Sequence, residues 1–245
     1  MRIVLLSQWC PPEPEFRVLN LGASLVERGH QVTLITGFPN YPLGRIYDGY
    51  KQRLWQREEK FGVQIIRLPL YPDHSRSMMK RMLTYFSFAL SATILAPFFT
   101  GKPDVLWVYH PPLTISIPAM WISLLRRIPF VYEIQDMWPE TVAASGMMDT
   151  SLIIRSLGAL AKFAYQRAAA ITVISKGFKA NLINKGVPEE KITVIPNWGD
   201  DTIYSPVERD PAFGDQHGLN GYFNVIFAGT MGPAQNLQTV IQAAE

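Results

Sequence analysis

At 245 residues the chain is long enough for one large domain or for one and a half smaller ones. Its 48% apolar content is ample for a packed core and excludes a disordered chain. The net charge is only +3 and no basic run is interleaved with aromatics, so no nucleic-acid partner is expected; the single cysteine, Cys10, fits a reducing compartment.

Arg2–Leu6 is expected as a buried parallel strand of near-continuous aliphatics; the run is too short for a signal peptide, and Pro11–Glu15 breaks it. Ser7–Glu15 is the loop at its carboxyl end, with Trp9, three prolines and two glutamates. Phe16–Arg28 reads as a helix with Val18, Leu21, Leu25 and Val26 on one side, closed by Gly29, and Gln31–Thr36 reads as the second strand. That order opens a Rossmann-like parallel sheet of the α/β class. No G-x-G-x-x-G follows the first strand, which disfavours NAD or FAD there. Gly37–Gly62 is a long irregular segment whose length and aromatics suit a lid, an acceptor-recognition loop or a plain surface insertion, and Val63–Leu68 is a third strand.

Met82–Phe99 carries no charge and is apolar nearly all round, with Arg76, Lys80 and Arg81 before it and Lys102 after. At ~18 residues it sits at the lower limit for a membrane-spanning helix. A span is the least favoured of three readings. The others are a helix buried on the sheet and a helix that also offers its basic end and aromatic side to an anionic membrane surface.

Val105–Tyr109 and Phe130–Ile134 have strand composition, and Ile115–Leu125 between them suits a crossover helix, so the two strands are expected as parallel neighbours. Each runs into polar, proline-rich sequence. Ligands of open α/β sheets bind beyond the carboxyl ends of the strands, so His110, Asp136 and Glu140 are expected to face one crevice. Helices over Leu152–Arg167 and Gly177–Lys185 alternate with strands over Ala170–Ser175 and Ile192–Ile195. Asp200–Gly221 has the composition of a linker; Phe223–Phe227 reads as a new strand, leading through Gly229-Thr230-Met231-Gly232 into a helix to Glu245. The expected organisation is therefore a first domain over 1–199, a linker over 200–221 and the first βα unit of a second Rossmann-like domain over 222–245, a unit too small to bury its own apolar faces.

The entry loop Pro11–Glu15, the turn Glu27–Thr33, the segment Gln135-Asp136-Met137-Trp138-Pro139-Glu140, the run Ile192-Thr193-Val194-Ile195-Pro196-Asn197-Trp198 and Ala228–Gly232 with Gln235 resemble the family 4 retaining glycosyltransferases of the GT-B fold. Within that family they look most like the bacterial members that build surface polysaccharides, such as fucosamine transferases of O-antigen assembly. The resemblance implies two Rossmann-like domains, the first binding the acceptor and the second most of a nucleotide-sugar donor, here a UDP-sugar. It implies His110 beside the reacting sugar, with Asp136 or Glu140 orienting the acceptor hydroxyl or steadying the charged sugar ring. It further implies Glu13, Glu15, Tyr41 and Arg45 as acceptor contacts and Gly229, Thr230, Gly232 and Gln235 as the donor phosphate turn. Arg76, Lys80 and Arg81 would meet the inner face of the cytoplasmic membrane, where a polyprenyl-linked saccharide waits. No D-x-D triad follows a strand, so neither metal nor cofactor is implied.

The chain departs from the family pattern where Pro14-Glu15-Phe16 replaces the usual glycine pair, and where Thr230 and Gln235 replace cationic residues. The second-domain E-x7-E motif does not occur, so this stretch alone is expected to be inactive in transfer. A non-catalytic acceptor-binding module, or another Rossmann-type enzyme such as a nucleotide-sugar epimerase, stands as the alternative; the missing glycine fingerprint and missing Y-x-x-x-K argue against the epimerase.

Overall fold

A computed structural model describes residues 1–75, 77–140, 151–199, 205–229, 231–232 and 235–244. Contacts divide it into two compact units, Met1–Pro196 and Asn197–Glu245.

The first unit is built on an eight-stranded sheet of order β3-β4-β2-β1-β5-β6-β7-β8. Its strands are β1 Arg2–Leu6, β2 Gln31–Gly37, β3 Gln56–Lys60, β4 Val63–Leu68, β5 Val105–His110, β6 Phe130–Ile134, β7 Ala170–Val173 and β8 Ile192–Val194. All neighbours are parallel except β3 and β4. Parallel strands buried on both faces favour aliphatics at successive positions, which Ile3–Leu6 provides; Val63–Leu68 does so except at Gln64 and the buried Arg67. Helix α1 (Arg17–Glu27) covers one face, packing Val18 and Leu19 on Leu5, Leu34 and Ile65. Helices α2 (Met78–Leu95), α3 (Ser116–Arg126), α4 (Ser151–Arg167) and α5 (Lys176–Asn184) cover the other. There Phe88, Ile122, Ala161 and Leu182 join Leu106, Tyr132 and Ile171 in the larger core.

The expected irregular segment over 37–62 ends in a strand. β3 has the sequence Gln-Arg-Glu-Glu-Lys, with no apolar residue to show a buried face, because it is an edge strand whose charges discourage further pairing. Phe61 and Gly62, both at positive φ (53° and 73°), close the hairpin onto β4; two left-handed residues match the twist of the strands. Helix α2 starts four residues before the charge-free run and ends in a 3-10 turn at Ala96–Phe98, where Pro97 cannot donate to the helix. Among the described residues no helix is long and apolar enough to cross a membrane.

In the second unit the expected linker contains a short helix, α6 (Pro211–Gln216). Asp210 caps it by accepting from the amides of Ala212 and Phe213, and Pro211 occupies the first turn. The strand expected over 223–227 is not formed: these residues have no regular structure and are exposed, Phe223 at 95%. An apolar run becomes a strand only when a neighbour satisfies its backbone, and no strand pairs with it among the described residues. The helix after it, α7, spans Leu237–Ala243.

Candidate active site

The strand order turns at β1, which has β2 on one side and β5 on the other. Such a switch point opens a crevice at the carboxyl ends of the strands. The loops after β1, β2, β4, β5 and β6 gather at that end.

Two buried charges set the first of these loops. The carboxylate of Glu13 accepts from the amides of Asn40 and Tyr41 at 2.9 Å each and from the amide of Cys10 at 3.1 Å. Burial pushes this carboxyl up to about 7, while the Asn40, Tyr41 and Cys10 amides hold it down. The guanidinium of Arg67 donates to the Pro11 carbonyl (2.5 Å), the Gly37 carbonyl (3.1 Å) and Glu58 (2.6 Å). Glu13, expected as an acceptor contact, is thus wholly buried and committed to three backbone donors. It places Tyr41 rather than touching solvent.

A second polar chain runs across the sheet beneath the start of α1. Arg17 donates to Glu15 (3.1 Å), to the Tyr109 hydroxyl (2.5 Å) and to Gln135 (3.1 Å). Tyr109 in turn donates to Glu15 at 2.8 Å. Gln135 and Trp107 donate to the two oxygens of Glu133 at 2.6 and 2.7 Å. Burial raises the Glu133 carboxyl, and the Trp107 and Gln135 donors partly offset it. Glu15 therefore lies inside a network that ties the first loop to β5 and β6.

Over the crevice stands a wall of aromatic rings. Trp9 meets Tyr41 (centroids 5.6 Å) and Tyr85 (6.3 Å); Tyr85 meets Trp138 (6.1 Å), which meets His110 (6.3 Å); Tyr41 also meets His74 (4.8 Å). Trp9 and Tyr85 are half-buried and Tyr41 is exposed, so their rings can meet the apolar face of a sugar, while Trp138 and His110 are buried behind them; tilted and edge-to-face contacts link the rings. Of these, Trp9, His74, Tyr85 and Trp138 received no role from the sequence.

His110 ends β5, paired with Ile134 of β6, and its carbonyl accepts from Gln135 at 3.1 Å. It is 1% exposed, and burial lowers its pKa to about 3 against a weaker, opposing pull from its own backbone, so the imidazole is neutral. Among the described residues its Nδ1 makes no hydrogen bond to another residue, and neither does either amide atom of Gln8, fully buried just after β1. Two buried side chains with open hydrogen-bonding capacity at one switch point are a place for a polar ligand. Asp136 stands half-buried two residues beyond the end of β6, in the turn where the Trp138 amide donates to its carbonyl.

Glu140 is turned elsewhere. It ion-pairs with Lys185 at 2.6 Å and lines a cleft of about 290 Å³ with Gly158, Tyr165 and Val187. Arg45 is exposed and pairs with Asp48 at 2.9 Å, and Tyr41 sits on the wall. Lys80 is exposed and Arg81 half-buried on the first turn of α2, while Arg76 lies outside the described residues. In the second unit Gly232 accepts from the Gln235 amide at 3.1 Å. Helix α7 begins only at Leu237, so the turn does not open directly into it; Gly229 is described and Thr230 lies outside the described residues. No cluster of three or more His, Cys, Asp or Glu suited to a metal occurs among the described residues.

Residues 14–198 match the family described as glycosyl transferase 4-like domain. A protein of Escherichia coli (strain K12), WcaI, named for glycosyl transfer in colanic acid biosynthesis, is 26% identical over 228 residues, covering 90% of this chain and 56% of WcaI. Among solved structures, Anabaena Alr3699/HepE in complex with UDP and glucose superposes with a TM-score of 0.60 at 16% identity, over 100% of this chain and 57% of that one. Sucrose-phosphate synthase of Thermosynechococcus elongatus gives 0.59 at 14% identity, over 89% and 52%. At these identities the two structures show a shared Rossmann-like fold of the GT-B type. The chain spans about half the length of each of these three proteins.

Proposed function

The chain belongs to the glycosyl transferase 4-like family, and from that premise we propose that it transfers a sugar, with retention of configuration, from a nucleotide-diphosphate donor to a lipid-linked saccharide in bacterial surface-polysaccharide synthesis. The observation that carries the reading is the switch point at β1 and β5, where the neutral ring of His110 meets Trp138 of the aromatic wall and the Gln8 amide, buried just after β1, has no partner among the described residues. The name of the E. coli relative and the UDP and glucose bound by the Anabaena protein support it, and point to a UDP-sugar. In such a transfer the bond from the anomeric carbon to the leaving phosphate breaks and one to the acceptor oxygen forms on the same face. The acceptor proton passes to the phosphate. Neutral His110 accepts or donates a hydrogen bond at a sugar hydroxyl as positive charge grows on the ring, without adding a competing charge. Asp136 orients the acceptor hydroxyl. The backbone at Gly229, Gly232 and Gln235, with Thr230, takes the diphosphate, with no metal required. Lys80 and Arg81, with Arg76, hold the enzyme at the inner face of the cytoplasmic membrane.

The test is transfer of radiolabel from UDP-sugars and GDP-sugars into an extractable lipid-linked product, using protein expressed from its own reading frame. One donor is expected to label the product, and His110→Ala to lower kcat by ~10²–10³, as for loss of a positioned hydrogen-bonding group. Undiminished turnover in His110→Ala would remove this site from the reaction.

A further inference from the structure

We propose that the cleft between Trp138-Pro139, helix α4 and the turn after α5 binds a small amphiphilic anion, its flat apolar body inside and its one carboxylate at the mouth. The cleft, of about 290 Å³, is the one that Glu140 lines, apart from the crevice. Its floor is a single stripe of α4, because Ala161, Lys162 and Tyr165 fall three, four and seven residues on from Gly158 and share its helical face. Trp138, Pro139 and Val187 close the sides. The volume lies at the small end of the ~300–1,000 Å³ of ligand sites, and mostly apolar walls with a few polar groups are their usual make-up.

Tyr165 and Gly158 both call for an occupant. Tyr165 is 4% exposed, and among the described residues its hydroxyl makes no hydrogen bond; burial pushes its pKa up, so it stays a donor. A glycine inside a helix weakens it relative to alanine. At Gly158 a Cβ would meet nothing nearer than Pro139 Cγ at 3.9 Å, an ordinary contact, so close packing does not demand the glycine. Its effect is to hold the cleft open. Charge then selects the sign of the ligand. The ammonium groups of Lys162 and Lys185 stand against the one carboxylate of Glu140, which already pairs with Lys185 at 2.6 Å. Lys162 is exposed and makes no ion pair among the described residues. With the Tyr165 hydroxyl it offers donors that an anion fills and a cation cannot. The rings of Trp138 and Tyr165 suit a flat apolar body. Trp138 is also the partition between cleft and crevice, since its ring meets Tyr85 at 6.1 Å and His110 at 6.3 Å. An occupant therefore bears on a ring of the aromatic wall without entering the crevice. The proposal does not rest on the transferase reading, because binding is measured with no sugar donor present.

The test is isothermal titration calorimetry with naphthoate, on protein expressed from its own reading frame. One equivalent of naphthoate is expected to bind. Naphthylmethylammonium, the same flat body with the opposite charge, is expected to bind at least ~10-fold more weakly. Gly158→Leu fills the cleft and favours the helix, and is expected to abolish binding with no fall in melting temperature. Lys162→Glu, at an exposed position, and Tyr165→Phe, which removes only the hydroxyl, are each expected to weaken binding by ~10-fold. Any of three results would overturn the proposal: no binding of naphthoate at millimolar concentration, undiminished binding by either Gly158→Leu or Lys162→Glu, or equal binding of the cation.

Discussion

The neutrality of His110 has a measurable consequence in acid. Burial lowers its folded-state pKa from 6.5 to about 3. The unfolded chain therefore binds a proton that the folded chain refuses between those values, and this group's contribution to stability falls as the pH drops through 6.5 towards 3. At pH 7 the contribution is close to complete. At pH 5, one and a half decades below 6.5, about 2 kcal/mol of it has been lost, since each decade is worth 1.36 kcal/mol. His110→Gln keeps a polar side chain without the titration. The assay is urea unfolding of both proteins at pH 7 and pH 5. The wild type is expected to lose about 2 kcal/mol more than the variant over that interval. Parallel losses would mean that His110 is protonated in the folded chain, and the neutral imidazole invoked for sugar transfer would have to be abandoned.

Glu13→Ala leaves the buried amides of Cys10, Asn40 and Tyr41 without their acceptor, and is expected to lower stability by about 3 kcal/mol in urea; a change under 1 kcal/mol would show that the loop needs no such brace. Gly62→Ala puts a Cβ 2.8 Å from Val26 at a φ of +73°, so a fall of ~1–2 kcal/mol is expected by the same measurement, and none if the hairpin relaxes freely. Tyr85→Ala removes the ring between Trp9 and Trp138 and is expected to raise KM for the acceptor by ~10-fold while leaving KM for the donor unchanged, a split that steady-state kinetics would reveal. Equal effects on both would take the wall away from the acceptor.

Much of the sheet was legible because its information is local. Runs such as Ile3–Leu6 and Phe130–Ile134 are too apolar and too short to be anything but buried strands, and their alternation with helices leaves few topologies. What escaped was set by partners distant in sequence. β3 owes its existence to β4 and the turn at Phe61 and Gly62, not to its own polar residues. Phe223–Phe227 has strand composition and nothing to pair with. The helix at Pro211 did announce itself, through Asp210 and the proline after it, but a six-residue helix is easily lost inside a linker.

The crevice divides the same way. His110 could be placed from the end of its strand, whereas Arg17 meets Gln135 across 118 positions, and Arg67 meets Pro11 across 56. Tyr85 sits within an apolar helix where no pattern distinguishes a ring facing a crevice from one facing a core. Glu140 lay four residues beyond Asp136 and was expected beside it, yet its carboxylate goes to Lys185.

The central claim is that the acceptor occupies the crevice at the carboxyl ends of β1 and β5. It is tested most directly by photo-crosslinking with a lipid-linked saccharide that carries a diazirine on its terminal sugar, followed by mapping of the labelled peptides by mass spectrometry. Label is predicted on the segments holding Trp9, Tyr41 and Tyr85, competed away by unlabelled acceptor. Label concentrated at the opposite end of the sheet, around Gln31 and Lys102, would contradict it.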